Sequence, residues 1–231
     1  MIKYLNKTVF NSGCEGIVNT VNCVGAMGAG LALEFSLRYP KMEKQYEQDC
    51  ANKKVKTGEI ITYKEDDVLI INFPTKYHWK YPSQIKWISD GLDYLVEHYK
   101  EWNIKSIAIP PLGCSNGGLD YVNQVKPLIE SKLNNLDIDV CLCVDPGYAE
   151  GKEKEMLDAF NKSDVEIMCD KLKIKGKAKM ALQNRKNIAR FYMIKALDDV
   201  GITTYSKIFQ YFYNDGKPFE SIDKYTIQSL F

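Results

Sequence analysis

A chain of 231 residues with 45% hydrophobic content can bury a substantial core, which excludes a disordered polypeptide and suits one large domain, or one of ~150–170 residues with an appendage. No run reaches the ~18 apolar residues of a membrane helix and no leader pattern precedes Met1-Ile2-Lys3-Tyr4, so a soluble, cytoplasmic protein with no membrane partner is expected. The net charge of +1 hides an asymmetry, −3 over residues 1–150 and +4 over residues 151–231, with the basic surplus concentrated in KLKIKGKAKMALQNRK from Lys171 to Lys186.

In chain order, Ile2–Leu5 and Thr8–Phe10 read as short strands leading to a buried, β-branched strand at 17–22. Asn19 and Asn22 interrupt the end of that strand, and three glycines follow, Gly25, Gly28 and Gly30. Leu31, Ala32, Leu33 and Phe35 then open a helix that Tyr39-Pro40 stops near Arg38. Lys41–Asn52 is a second, charged helix. Glu59–Tyr63 and Val68–Phe73 flank Glu65-Asp66-Asp67 as a hairpin or as adjacent strands. After Pro74 comes the loop Thr75-Lys76-Tyr77-His78-Trp79-Lys80-Tyr81-Pro82-Ser83. Ser83 is the expected N-cap of a long helix that carries Ile85, Ile88, Leu92, Leu95 and Val96 on one face and ends near Trp102. A strand at 106–109 is closed by Pro110-Pro111, a second glycine-rich turn runs from Gly113 to Gly118, and a helix from Asp120 to Leu133 precedes a last apolar strand at 139–144. Strands alternating with helices predict an α/β sandwich around a mixed sheet.

Three loops follow strand C-termini, at 23–30, 74–82 and 111–118, and in open α/β sheets that edge binds ligands. Two of them are glycine-rich. A strand, a glycine turn and a helix N-terminus let backbone N–H groups face phosphate oxygens, because side chains would block the approach. The first turn has neither the Gly-Lys-Ser/Thr of a P-loop nor a regular GxGxxG. By itself it suits a phosphate or diphosphate with Asn22 placed to bond a sugar, and a plain strand-to-helix turn fits it equally well. The third loop interleaves Lys76, His78 and Lys80 with Tyr77, Trp79 and Tyr81, a mixture suited to single-stranded nucleic acid, with a solvated loop as the alternative. Seven cysteines, an odd number without a CxxC pair, argue against a disulfide framework and against a metal site. Cys114, within the second glycine turn and with no histidine near it in sequence, reads as a small buried residue rather than a nucleophile.

IVNTVNCVGAMGAGLALEF, followed by NFPTKYHW and IAIPPLGCSNGGLDY, resembles the macrodomain family of ADP-ribose binders and hydrolases over roughly residues 1–148. Within it the motifs are similar to the DarG-type branch, antitoxins that remove ADP-ribose from DNA bases after a DarT-type toxin has attached it. The resemblance implies a three-layer α/β/α domain over residues 1–150, with ADP-ribose and ADP-ribosylated single-stranded DNA as ligands and no cofactor or metal. It places Asn22 on the distal ribose, Gly25, Met27, Gly28, Gly30 and Leu31 around the diphosphate with Asn19 beside them, and Ser115, Asn116, Gly117, Gly118 and Leu119 in a second phosphate loop. Lys76 then acts on the anomeric carbon of the distal ribose, and Tyr77, His78, Trp79 and Lys80 are candidates to contact the DNA base or its neighbours.

Cleaving an N-glycosidic bond needs a stabilised ribosyl cation, a nucleophile and help for the leaving base. A lysine nucleophile must be neutral, so its pKa must fall well below ~10.4, and partial burial beside a second cation such as Lys80 or His78 would lower it. A charged Lys76 would instead protonate or orient the departing base, and the residues leave both roles open. Two positions depart from the family pattern. Thr8 stands where many macrodomains carry the aspartate that binds the adenine amino group, and Gly117 stands where some lysine-using relatives carry an acid; Asp120, just beyond, reads as a helix cap. Other readings therefore stay open: a module that binds ADP-ribose without turnover, an antitoxin acting mainly by protein binding, or a hydrolase of protein-linked ADP-ribose or of ADP-ribose 1″-phosphate.

Residues 151–231 are expected to form a small, mainly helical, basic extension. Ala149–Phe160, Lys179–Asp199 and Thr203–Tyr213 are its helical stretches, broken at Gly201 and at Asn214-Asp215-Gly216. TTYSKIFQYFYNDGKPF has a faint similarity to the toxin-binding C-terminal domain of the family, which makes the extension a candidate site for a DarT-type toxin, with a DNA-holding appendage as the rival.

Overall fold

Period-two alternation along the strands sets the architecture of the first part of the chain. In the computed structural model, which describes residues 1–217, six strands form one sheet: β1 (Ile2–Leu5), β2 (Gly16–Val21), β3 (Ile61–Glu65), β4 (Val68–Pro74), β5 (Ser106–Ile109) and β6 (Asp139–Cys143). Their spatial order is β1-β6-β5-β2-β4-β3, with every pairing parallel except that of β3 with β4. Ile17 and Val21 of β2, Ile70 of β4, Ala108 of β5 and Cys141 and Cys143 of β6 pack with Phe35, Met42 and Tyr46, from helices α1 (Gly30–Arg38) and α2 (Pro40–Ala51). The intervening Val18, Ile71, Phe73, Ile107, Ile109, Val140 and Leu142 pack with Ile88, Leu92, Leu95, Ile129 and Leu133, from α3 (Ile85–His98) and α4 (Lys126–Leu133). The result is the expected three-layer α/β/α sandwich.

Local chemistry fixes several junctions. Pro40 both ends α1 and opens α2, where its missing N–H costs nothing. The buried Glu65 accepts a hydrogen bond from the Met42 N–H at 2.8 Å, satisfying an orphan donor of the same helix start. Gly91 lets α3 lie directly on β4, since a Cβ there would run into the Phe73 ring.

Some elements differ from expectation. Thr8–Phe10 is not a strand: Val9–Asn11 is a 3-10 turn, held by Ser12 Oγ donating to the Val9 carbonyl (2.7 Å) and Asn11 Nδ2 donating to Thr8 Oγ1 (3.1 Å), local bonds that compete with a ladder. Gln84, not Ser83, precedes α3. Asp120 does cap, accepting from the Asn123 N–H at 3.0 Å, but it caps a wider π-type turn (Tyr121–Val125) that leads into α4.

The chain divides between Pro146 and Gly147 into two compact units. The second unit contains α5 (Gly151–Lys162), α6 (Val165–Leu172), α7 (Gly176–Gln183), a 3-10 stretch (Phe191–Ala196) and α8 (Ile202–Tyr213). Its core is aromatic, with Phe191 edge-on to Phe209 at 5.7 Å and Phe160 edge-on to Phe212 at 5.6 Å between centroids. The buried Glu153 carboxylate meets Arg190 through two bonds, of 2.9 and 3.0 Å, and also takes the Phe191 N–H at 2.9 Å. No single helix spans Lys179–Asp199. α7 ends at Gln183, the following residues up to Arg190 are irregular, and Phe191 and Ile194 are buried one turn apart in the 3-10 stretch, while α6 lies where no helix was expected. Pro218 and Phe219, the last residues of the stretch similar to a toxin-binding domain, lie outside the described residues. No helix among the described residues is long and apolar enough to cross a membrane.

Candidate active site

β5, β2 and β4 are neighbours and point the same way, so the loops that leave their C-terminal ends converge on one edge. The β2–β4 pairing continues past both strands: the Thr75 N–H donates to the Val21 carbonyl (3.0 Å) and the Cys23 N–H to the Tyr77 carbonyl (2.9 Å). Lys76 lies between these two ties, so its backbone is as fixed as a strand residue. Its side chain is 7% exposed, and Nζ donates to the Asn116 carbonyl at 2.7 Å, across to the second glycine turn. Burial pushes the Lys76 pKa below its usual 10.5. A neighbouring cation was the other expected cause, but Lys80 is exposed and desolvation is the force at work.

The first glycine turn is folded by Asn22. Its Oδ1 accepts from the N–H groups of Val24 (2.9 Å) and Ala26 (3.3 Å), and its Nδ2 donates to the Ala26 carbonyl (2.6 Å). The buried Tyr46 hydroxyl donates to the Asn22 carbonyl at 2.7 Å. Asn22 therefore shapes the turn, and a sugar hydroxyl reaching it would share these bonds. Gly28, Gly30, Ser115, Asn116 and Gly118 are exposed, and Gly25 is half-buried against α2. Met27, Leu31 and Leu119 turn their side chains to the core, so what they can offer a ligand is backbone. Asn19 corrects its assignment: it is fully buried and donates to Asn72 Oδ1 at 2.9 Å, under the sheet edge rather than at its surface.

The second turn is closed by its own carbonyls. Leu119 N–H donates to the Gly113 carbonyl (3.1 Å), Gly118 N–H to the Cys114 carbonyl (3.1 Å), and Ser83 N–H to the Gly117 carbonyl (2.9 Å). Gly117 is buried, and a Cβ on it would collide with the Gly113 carbonyl oxygen and the Ser83 hydroxyl. Position 117 therefore has no room for a side chain in this chain. The two turns meet where Asn116 Nδ2 lies 3.2 Å from the place a Gly30 Cβ would occupy. Thr8 offers a neutral hydroxyl that accepts from Asn11, in place of a carboxylate. Burial raises the Cys114 thiol to about 11, which keeps it protonated and inert at neutral pH.

Beside Lys76 the chain projects outward. Tyr77, Trp79 and Tyr81 are 62%, 53% and 62% exposed. His78 lies against Trp79 (5.4 Å between centroids) and Tyr81 (5.6 Å), and the Lys80 ammonium sits 5.0 Å from the Trp79 ring centre. The candidates for base contact thus lie together on the surface beside Lys76. Tyr46 and Ser83 are the supporting residues that sequence reasoning missed. Tyr46 had a signal, since it shares one helix face with Met42 and Cys50; Ser83 had none.

The match to known proteins follows this geometry. The Macro domain family model matches residues 18–126. The solved macrodomain of Mycobacterium tuberculosis DarG is 41% identical, and the match covers 62% of this chain and 97% of that one with a TM-score of 0.58. The chain belongs to the macrodomain family. A Mycobacterium tuberculosis protein called DNA ADP-ribosyl glycohydrolase is 40% identical over 146 residues, 62% of this chain. The match spans 42% of the length of that relative. The structure of Thermosipho africanus DarTG in complex with ADP-ribose is 33% identical over 65% of this chain and 43% of that one, with a TM-score of 0.59.

Proposed function

We propose that this macrodomain hydrolyses the N-glycosidic bond between ADP-ribose and a base of single-stranded DNA, reversing a DarT-type transferase in the cytoplasm. The observation that carries the reading is Lys76: a buried, backbone-locked lysine joining the two glycine turns, with its pKa lowered by desolvation. The turns bind the diphosphate through backbone N–H groups and leave the distal ribose against Lys76. The neutral amine attacks the anomeric carbon, the base nitrogen departs with the bonding pair and takes a proton from water, and a second water releases the sugar from the lysine. Support for DNA over protein as the carrier comes from Tyr77, Trp79 and Tyr81, exposed aromatic side chains of the kind that stack on unpaired bases. The names of the relatives point the same way.

The test is release of free ADP-ribose from a modified single-stranded oligonucleotide by the wild type and by Lys76→Ala. Turnover by the wild type, and its loss in a variant that still binds ADP-ribose, supports the hydrolase. The sealed Gly117 favours one rival, a reader that binds without turnover, and binding with no release by the wild type would establish it in place of the enzyme.

A further inference from the structure

The second unit carries a basic surface that contributes none of the candidate-site residues described above. Residues 171–186 hold seven basic side chains and no acidic one. Three of the seven are engaged within the unit. Lys179 pairs with Glu166 (2.9 Å) and Asp170 (3.2 Å), Arg185 donates to the Leu182 and Phe160 carbonyls (both 3.0 Å), and Lys171 reaches the Tyr211 hydroxyl (3.5 Å). The other four, Lys173, Lys175, Lys177 and Lys186, are exposed and form no ion pair among the described residues. Three of these follow one another at alternate positions through the α6–α7 turn. Lys173 even occupies a left-handed backbone conformation (φ 55°) at the end of α6, a position that glycine takes with less strain. Clustered like charge on a strained turn brings the fold no gain, and such local conflicts concentrate where a surface has work to do.

We propose that this face, formed by the α6–α7 turn, the first turn of α7 and Lys186, binds the phosphate backbone of single-stranded nucleic acid irrespective of modification. The charge complements a polyanion. A protein partner fits less well, because lysine is depleted at protein–protein interfaces. A lipid surface also fits less well, because Met168, Cys169, Ile174 and Leu182 are buried inward and the large apolar residues left exposed on the two helices are Ile167 and Met180, too few for an inserting face. The surface lies wholly within the second unit, so it stands whether or not the macrodomain proves to be a hydrolase.

The experiment uses the full chain and fluorescently labelled, unmodified oligo-dT, with anisotropy titrations at several salt concentrations. Wild type is compared with Lys173→Ala/Lys175→Ala/Lys177→Ala/Lys186→Ala and, separately, with Tyr77→Ala/Trp79→Ala to isolate the contribution of the macrodomain loop. The expected result is a salt slope in log Kd that falls by about 0.7 per lost phosphate contact, hence by up to ~3 in the quadruple variant, and a low-salt affinity reduced at least about tenfold. The loop variant keeps the wild-type slope. Equal affinity and slope in wild type and quadruple variant overturn the proposal, as does a wild-type slope near zero, which needs no variant. Binding to polyglutamate or phosphatidylserine vesicles as tight as to oligo-dT at the same salt also overturns it.

Discussion

Lys76→Met keeps the stem of the side chain and removes only the amine, so it separates chemistry from fold. The structural loss is one hydrogen bond, to the Asn116 carbonyl at 2.7 Å, for which about 0.5–1.5 kcal/mol is typical. Relief from burying a polar group offsets part of it. The melting temperature of the variant should therefore move by a few degrees at most. The rate should fall by at least ~10²–10⁴-fold, about 3–5 kcal/mol in activation free energy. The pH dependence gives the sign. Burial holds the folded-state pKa below the 10.5 of the exposed side chain, so the charged form is the one that folding disfavours. The stability penalty is fully present below the lowered pKa and fades as pH rises from there to 10.5, so wild type gains stability relative to Lys76→Met and the deficit of the variant should widen over that window. The amine is also the reactive form, so the wild-type rate should climb with pH and level off below 10.5. The assay is single-turnover release of ADP-ribose from the modified oligonucleotide across pH, with thermal melts in the same buffers. A wild-type rate that falls as pH rises over that range would assign the work to the ammonium, as acid or orienter. A Lys76→Met variant that retains turnover would remove the residue from the mechanism.

Gly117→Ala should cost about 1–3 kcal/mol by overpacking and lower kcat/KM more than it lowers stability, because the displaced turn carries the carbonyl that holds Lys76. Adding Ser83→Gly should restore only part of the loss, since the Gly113 carbonyl still blocks the new methyl; full recovery in kinetic assays would show that the turn is not the constraint. Tyr46→Phe leaves the Asn22 carbonyl without its hydroxyl donor, costing about 1–3 kcal/mol, and calorimetry should find weaker ADP-ribose binding; an unchanged Kd would show that the first turn holds its shape unaided. Arg190→Met strands the Glu153 carboxylate with the Phe191 N–H as its remaining bond here and should destabilise the second unit by about 3–5 kcal/mol in urea unfolding. Glu153→Gln together with Arg190→Met should be milder than Arg190→Met alone, and the reverse order would contradict a buried-charge penalty.

The sheet and the loop edge were legible because their signals are local and repeated. The apolar, β-branched runs of β2 and β4, the proline stops at Pro40 and Pro74 and the glycines of two turns each act over a few residues. What was not legible depends on distant partners. The stretch after Lys179 has an amphipathic pattern, yet Arg190 is drawn to Glu153 and the chain leaves the α-helix to make that contact. Thr8–Phe10 has strand-forming residues, but the Asn11 amide bonds the Thr8 hydroxyl and the Ser12 hydroxyl bonds the Val9 carbonyl, which closes a turn instead. At the site, the Lys76 side chain reaches the second glycine turn through the Asn116 carbonyl, and its backbone is tied beside the first. Of the two expected causes of its lowered pKa, burial and a neighbouring cation, burial is the one at work. Asn19 was drawn into the ligand set by its place in the motif, whereas strand parity sends its side chain beneath the edge.

The sealed Gly117 has a consequence for the leaving group. With no buried acid able to stand there, the base nitrogen must leave before, or together with, protonation by solvent or by a group on the exposed side. His78 is the nearest such group in sequence. Its Nδ1 accepts the Lys80 N–H at 3.2 Å, so a neutral ring carries its proton on Nε2, which is free to donate. If solvent supplies the proton, negative charge accumulates on the base in the transition state. The single-turnover rate should then depend steeply on the acidity of the departing base N–H across a series of substituted bases, and His78→Ala should leave that slope unchanged. If His78 donates, the wild-type slope is shallow and steepens when the imidazole is removed. A rate indifferent to leaving-group acidity in both proteins would place a proton donor elsewhere and contradict the reading of Gly117 as a closed position.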